Sequence, residues 1–151
     1  MKRKHYILSS FIVLGLMAGF WGYREFTRTR VSTAEREPSF NVQATELVRE
    51  FSGDESAASR KYSGPELIIS IEGDVKEVLR DESGNMTLML GDTASLSSVQ
   101  CTMETDEAAA LLKLHRGDRV RIRGSFNGYS ADETGILGSD VKMNHCILEN
   151  K

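Results

Sequence analysis

The spacing of hydrophobic residues changes twice along this chain. Residues 6–23 form a run of eighteen positions without a formal charge. From Val42 to Tyr62 the apolar positions fall near a helical period. Val42, Leu47, Val48 and Phe51 share one face, and Ala57, Ala58 and Tyr62 continue it beyond Gly53. Gly53 can split this stretch into two short helices, and Gly64-Pro65 ends it. Beyond that point the period drops to two. "ELIISIEGDVKEVLR" sets Leu67, Ile69, Ile71, Gly73 and Val75 against Ser70, Glu72, Asp74 and Lys76; its length and central glycine predict a strand that bends as barrel strands do.

The rest of the chain keeps this alternation, with one interruption. "DESGN" supplies the turn chemistry of a hairpin, "MTLML" returns, and "SVQCTM" makes a third strand. "ETDEAAALLKLHRGD" predicts a short helix, with Thr105 as N-cap, Asp106 and Glu107 in the first turn, and Lys113, His115 and Arg116 near the end. "RVRIRGSFNGY" and "DVKMNHCIL" are the fourth and fifth strands. In the fifth, Val141, Met143 and His145 are expected opposite Lys142, Asn144 and Cys146. The order β-β-β-α-β-β is that of an OB-fold, a small Greek-key barrel, although an unrelated five-stranded α+β sheet has the same order. The expected fold class is mainly β (α+β): a five-stranded OB-fold barrel with a helix between strands 3 and 4, preceded by a helical segment and a transmembrane helix.

The uncharged run follows Lys2, Arg3 and Lys4. As a helix it spans about 27 Å, close to the thickness of a bilayer core. Trp21 and Tyr23 suit an interfacial belt, and Arg24 closes the segment. Ala18, Gly19 and Gly22 do not form the alternating small-residue pattern of a cleavage site, and no cysteine follows "LMAG" to carry a lipid. Residues 1–27 therefore read as an uncleaved signal anchor, with a cleaved signal peptide as the alternative. Residues 28–41, "RTRVSTAEREPSFN", read as a solvated linker, and residues 42–151 as the OB-fold domain with its N-terminal helix. Charges flank both ends of the apolar run, so they barely set its orientation. Cys101 and Cys146 are an even number, and both fall in predicted strands, which is compatible with an oxidising compartment. The expectation is a single-pass inner-membrane protein with its soluble domain in the periplasm.

Charge separates the two parts further. The chain carries a net −3, but Met1 to Pro38 holds seven Lys/Arg against three Glu, leaving 12 basic and 19 acidic residues in the remainder. The folding part is therefore acidic, which works against a polyanionic partner.

The series "ATELVREF", "AASRKYSG", "IEGDVKEV", "VQCTM", "LHRGDRVRIRGSFNGY" and "HCIL" resembles the tRNA_anti-like family of OB-fold proteins, small bacterial envelope domains often carried behind a signal sequence or anchor. The resemblance covers roughly Val42 to Leu148. It implies the barrel, and a family name that reflects likeness to anticodon-binding domains; it brings no catalytic residue. Family members often place a further cysteine in the fourth strand, where this chain has Ser125-Phe126. In an OB barrel the third and fifth strands are neighbours, so Cys101 and Cys146 are either a disulfide or two buried thiols packed as small apolar groups.

The remaining candidates lie on the fourth strand. Arg119, Arg121 and Arg123 alternate with Val120 and Ile122, and Tyr129 follows. These are the candidate ligand contacts, for a small anionic ligand or an unknown protein. The competing explanation is structural: in an OB barrel the fourth strand pairs with the first, whose outer side carries Glu72 and Asp74. Single-strand binding wants cations and stacking aromatics on strands two and three, and "MTLML" and "SVQCTM" contain neither, which disfavours nucleic acid. His5, His115, His145 and the two cysteines show no metal-ligand spacing. No cofactor, metal or catalytic residue is expected. The function expected is a membrane-anchored, extracytoplasmic, non-enzymatic OB-fold binding or assembly module, with single-stranded nucleic-acid binding as the alternative.

Overall fold

The structure is a computed structural model, and it describes Met17, Thr33 and residues 36–64 and 66–149. The chain divides into two compact units, Met1–Ser32 and Thr33–Lys151, and every element below belongs to the second. No helix among the described residues is long and apolar enough to cross a membrane. The anchor expected over residues 1–27 lies outside the described residues, Met17 apart.

The elements run β1 (Phe40–Gln43), α1 (Ala44–Gly53), α2 (Glu55–Tyr62), β2 (Ile69–Arg80), β3 (Met86–Leu90), β4 (Ser98–Met103), a 3₁₀ turn (Thr105–Glu107) leading into α3 (Ala108–Leu111), β5 (Arg119–Ser130) and β6 (Asp140–Leu148). The sheet order is β1-β2-β3-β4-β6-β5, and β2 also pairs with β5, which closes the sheet on itself. Strands β2 to β6 thus follow the five-stranded order expected, with the helix in its expected place between the third and fourth of them.

The strand count differs from expectation: among the described residues there are six. Strand β1 pairs in parallel with the first residues of β2, Phe40 opposite Ile69 and Val42 opposite Ile71. It takes in Phe40 and Asn41, read from the sequence as linker, and Val42, read as helical. Two apolar residues in a four-residue strand fit either period, so composition could not reveal it.

Helices α1 and α2 divide at Gly53, as the sequence predicts. Asp54 caps the second, its Oδ1 accepting from the Ala57 N–H at 2.9 Å. Leu47 and Phe51 on α1, and Ala58 and Tyr62 on α2, are buried. The Phe51 ring stacks on Phe126 at 4.8 Å and on Tyr129 at 5.2 Å, which fastens α1 to the barrel. Lys61 Nζ and Tyr62 Oη both donate to the Glu50 carboxylate, tying the two helices together.

Helix α3 is shorter than predicted. A 3₁₀ turn occupies Thr105–Glu107, so Thr105 is no N-cap, and Glu104 before it makes no capping bond. Only Leu111 is buried; the helix ends there, and further along the chain turns into β5 where Asp118 accepts the His115 N–H and Gly117 takes a positive φ.

Strand β6 departs from simple alternation. Between Cys101 and Met103 on β4 the partner strand advances from Met143 to Cys146, and between Arg123 and Ser125 on β5 it covers Asn144 to Ile147. Both neighbours register one extra residue, a β-bulge, and His145 within it is held at φ 52°. The expected faces therefore change. His145 is exposed, while Cys146 turns inward and is fully buried.

Gly73 lets α1 approach β2, since a Cβ there would lie 2.7 Å from the Ala44 Cβ. The Gly73→Ala variant is expected to lose about 1–3 kcal/mol of unfolding free energy, measured by urea titration.

Candidate functional site

On β5 the alternation sends Ile122 into the core and Arg119, Arg121 and Arg123 outward. The antiparallel register with β2 sets Arg121 opposite Glu72, Arg119 opposite Asp74 and Arg123 opposite Ser70. Glu72 sits between two guanidinium groups, accepting from Arg119 Nε at 2.7 Å and from Arg121 Nη2 at 2.6 Å. Arg119 Nη2 also donates to Gln43 Oε1 at the end of β1. These bonds, Arg121's first, hold the Glu72 carboxyl below its ordinary 4.5 and push both arginines up.

Arg123 is served by a residue the sequence did not single out. Its Nε donates to Glu149 Oε1, and its Nη1 to the Arg36 carbonyl. Glu149 also accepts from Ser70 Oγ and lies 3.8 Å from Arg121 Nε. It stands just past β6, fixed by its own N–H on the Arg121 carbonyl, outside any alternating pattern that would have marked it. Asp74, the other carboxylate expected to neutralise the row, acts on Arg119 through charge alone. The three arginines thus form a ridge on the protein's own carboxylates rather than an open cationic cleft.

Tyr129 does not join them. It lies six residues beyond Arg123, about 20 Å along the strand. Its ring packs on Phe51 and its hydroxyl meets Ser52 Oγ at 3.2 Å. Cys101 and Cys146 lie on neighbouring strands as free, buried thiols.

A second feature lies where β4 ends beside the β6 bulge. A groove of about 560 Å³ is lined by Thr102, Met103, Glu104, Thr105, Asp106, Asn144 and His145. It adjoins the outer face of β3 and β4, where Thr87 pairs with Thr102 and Met89 with Gln100. That strand pair is the usual ligand side of an OB barrel. Among its described residues the face carries no aromatic ring, and the groove adds two carboxylates. Its signal in the sequence was hidden, because the bulge that turns His145 outward was not legible there. Among the described residues no group of three or more His, Cys, Asp or Glu is placed to hold a metal ion.

Three measurements test the ridge. The lowered pKa means the Glu72 pairing is present above the ordinary carboxylate range and lost only as pH falls through the folded value. An NMR titration should therefore place the Glu72 midpoint below 4.5. Glu72→Gln is expected to leave the thermal unfolding midpoint almost unchanged, because the arginines are half exposed. With Glu149→Gln added, it should lengthen retention on a heparin column by freeing the arginines.

Comparison with known proteins places the chain among barrels of this kind. A lipoprotein from Klebsiella pneumoniae subsp. pneumoniae, provisionally assigned as nucleic acid-binding, superposes with a TM-score of 0.54 at 13% identity, covering 74% of this chain and 93% of that one. Asparaginyl-tRNA synthetase from Pyrococcus horikoshii complexed with asparaginyl-adenylate aligns over 58% of this chain and 20% of its own, at 19% identity and a TM-score of 0.38. A replication factor A related protein from Methanobacterium thermoautotrophicum aligns over 54% and 78%, at 14% identity and a TM-score of 0.37. No curated protein sequence matches the chain. The family model that matches residues 1–138 is tRNA_anti-like, and with the closed strand order described above this chain belongs to the tRNA_anti-like family.

Proposed function

We propose that this protein is a non-enzymatic binding module, held at the outer side of the inner membrane by residues 1–27, that presents the β3–β4 side of its barrel to an uncharged or cationic hydrogen-bonding ligand. The observation that carries this reading is the distribution of charge. The three arginines of β5 are paired with Glu72 and Glu149, while the groove beside the ligand side is lined by Glu104 and Asp106. A polyanion approaching that side meets carboxylates. A ligand rich in hydroxyl or amide groups meets acceptors and donors on Thr102, Thr105 and Asn144. The same distribution weakens the earlier expectation of a small anionic ligand on the arginine row, because the row's guanidinium groups already serve carboxylates.

Single-stranded nucleic-acid binding is the second reading. The provisional assignment of the Klebsiella lipoprotein favours it. It would require the arginines to leave their partners, and affinity would then fall steeply with salt.

The two readings separate in one experiment. The full chain in detergent micelles is titrated with a labelled oligodeoxythymidine at low salt and, separately, with a neutral oligosaccharide, while backbone NMR shifts are followed. The first reading expects no saturable oligonucleotide binding, and shift changes with the sugar confined to Thr102, Glu104, Asn144 and His145. Oligonucleotide binding that disappears in Arg121→Glu and weakens steeply with added salt would overturn it. Carbonate extraction of membranes tests the anchor: the protein should stay in the pellet, and deletion of residues 1–27 should release it.

A further inference from the structure

Three features of the barrel converge on one sulfur atom. The bulge in β6 inserts a residue, and the left-handed His145 reverses the alternation so that Cys146 points inward. A non-glycine residue at positive φ is uncommon and costs free energy, so the reversal is not a default of the strand. Gly124 on β5 leaves the space this sulfur fills, since a Cβ there would lie 2.6 Å from Cys146 Sγ. Cys146 is the register partner of Met103, two residues beyond Cys101 on the same inward face, and both cysteines are fully buried. Cys101 and Cys146 therefore face the same core from adjacent strands.

We propose that Cys101 and Cys146 form a disulfide across the parallel β4–β6 pair when the chain folds in the presence of a disulfide oxidant. One cysteine thiolate attacks the oxidant's S–S bond, forming a mixed disulfide and releasing one reduced thiol. The second thiolate then attacks the protein sulfur of that mixed disulfide and expels the other half. The protein loses two protons and two electrons, and the oxidant leaves as two thiols. In the folded barrel, burial pushes the Cys146 thiol up, which keeps it protonated near neutral pH. The bond therefore forms before the barrel closes, or on transient opening. It encloses α3, β5 and most of β6 and links the parallel β4–β6 pair, and its formation in the cell requires an oxidising compartment.

The test uses the full chain, refolded from denaturant in detergent micelles in mixed oxidised and reduced glutathione. The expected product is monomeric, lighter by two hydrogens, and free of alkylation after denaturation. Its unfolding midpoint should fall by about 10–20 °C when a phosphine reductant is added. Cys101→Ala should abolish that dependence; if this variant does not fold, the oxidised and reduced wild-type chains supply the comparison by themselves. Two alkylatable thiols after oxidative refolding would overturn the proposal. So would only glutathione adducts or linked dimers, or a cross-linked form that melts below the reduced one.

Discussion

One strand has three neighbours, and the rest of the unit depends on how it divides itself among them. β2 is twelve residues long. Its first half pairs with β1 on one edge and β5 on the other, and its second half pairs with β3. A straight strand cannot turn from one set of partners to the next, so the register shifts between Val75 and Glu77, and Gly73 stands just before the bend. The missing side chain at Gly73 also admits α1, whose Leu47 and Phe51 complete the core. Closure of the barrel, docking of the helical pair and placement of the outer charges all follow from this strand.

The charges follow because Glu72 lies on it, facing β5 at the level of Arg121. A row of three arginines on an otherwise acidic domain invites a search for an anion. The register answers most of that demand internally, and Glu149 answers the remainder from beyond β6. What is left for a ligand is the other side of the barrel, where the β6 bulge and the 3₁₀ turn form a groove with polar and acidic walls. An OB barrel is a scaffold shared by many functions, so the site's chemistry rather than the fold must indicate the ligand.

Much of this was legible because each signal was local. The bent first strand, the DESGN hairpin, the division of the helices at Gly53 and the arginine alternation all rest on the spacing of neighbouring residues. The closed five-strand order followed from element order together with the family resemblance. Failures came where the deciding partner was distant. β1 has no pattern of its own and is a strand only because β2 offers it an edge. α3 gives its expected first turn to a 3₁₀ segment and ends at Leu111, its one buried residue. Glu149 belongs to no periodic run, and its role exists only once β6 lies beside β5.

The amino-acid sequence by itself determined the uncharged N-terminal run, the acidic character of the folded part, the alternation of each barrel strand and the arginine ridge, because charge and periodicity are properties of residues and their near neighbours. Tertiary structure decided which carboxylates meet the arginines, that Tyr129 packs on Phe51, and that Cys146 rather than His145 faces the core. Those outcomes depend on register between strands, and a single inserted residue in β6 reverses every face beyond it.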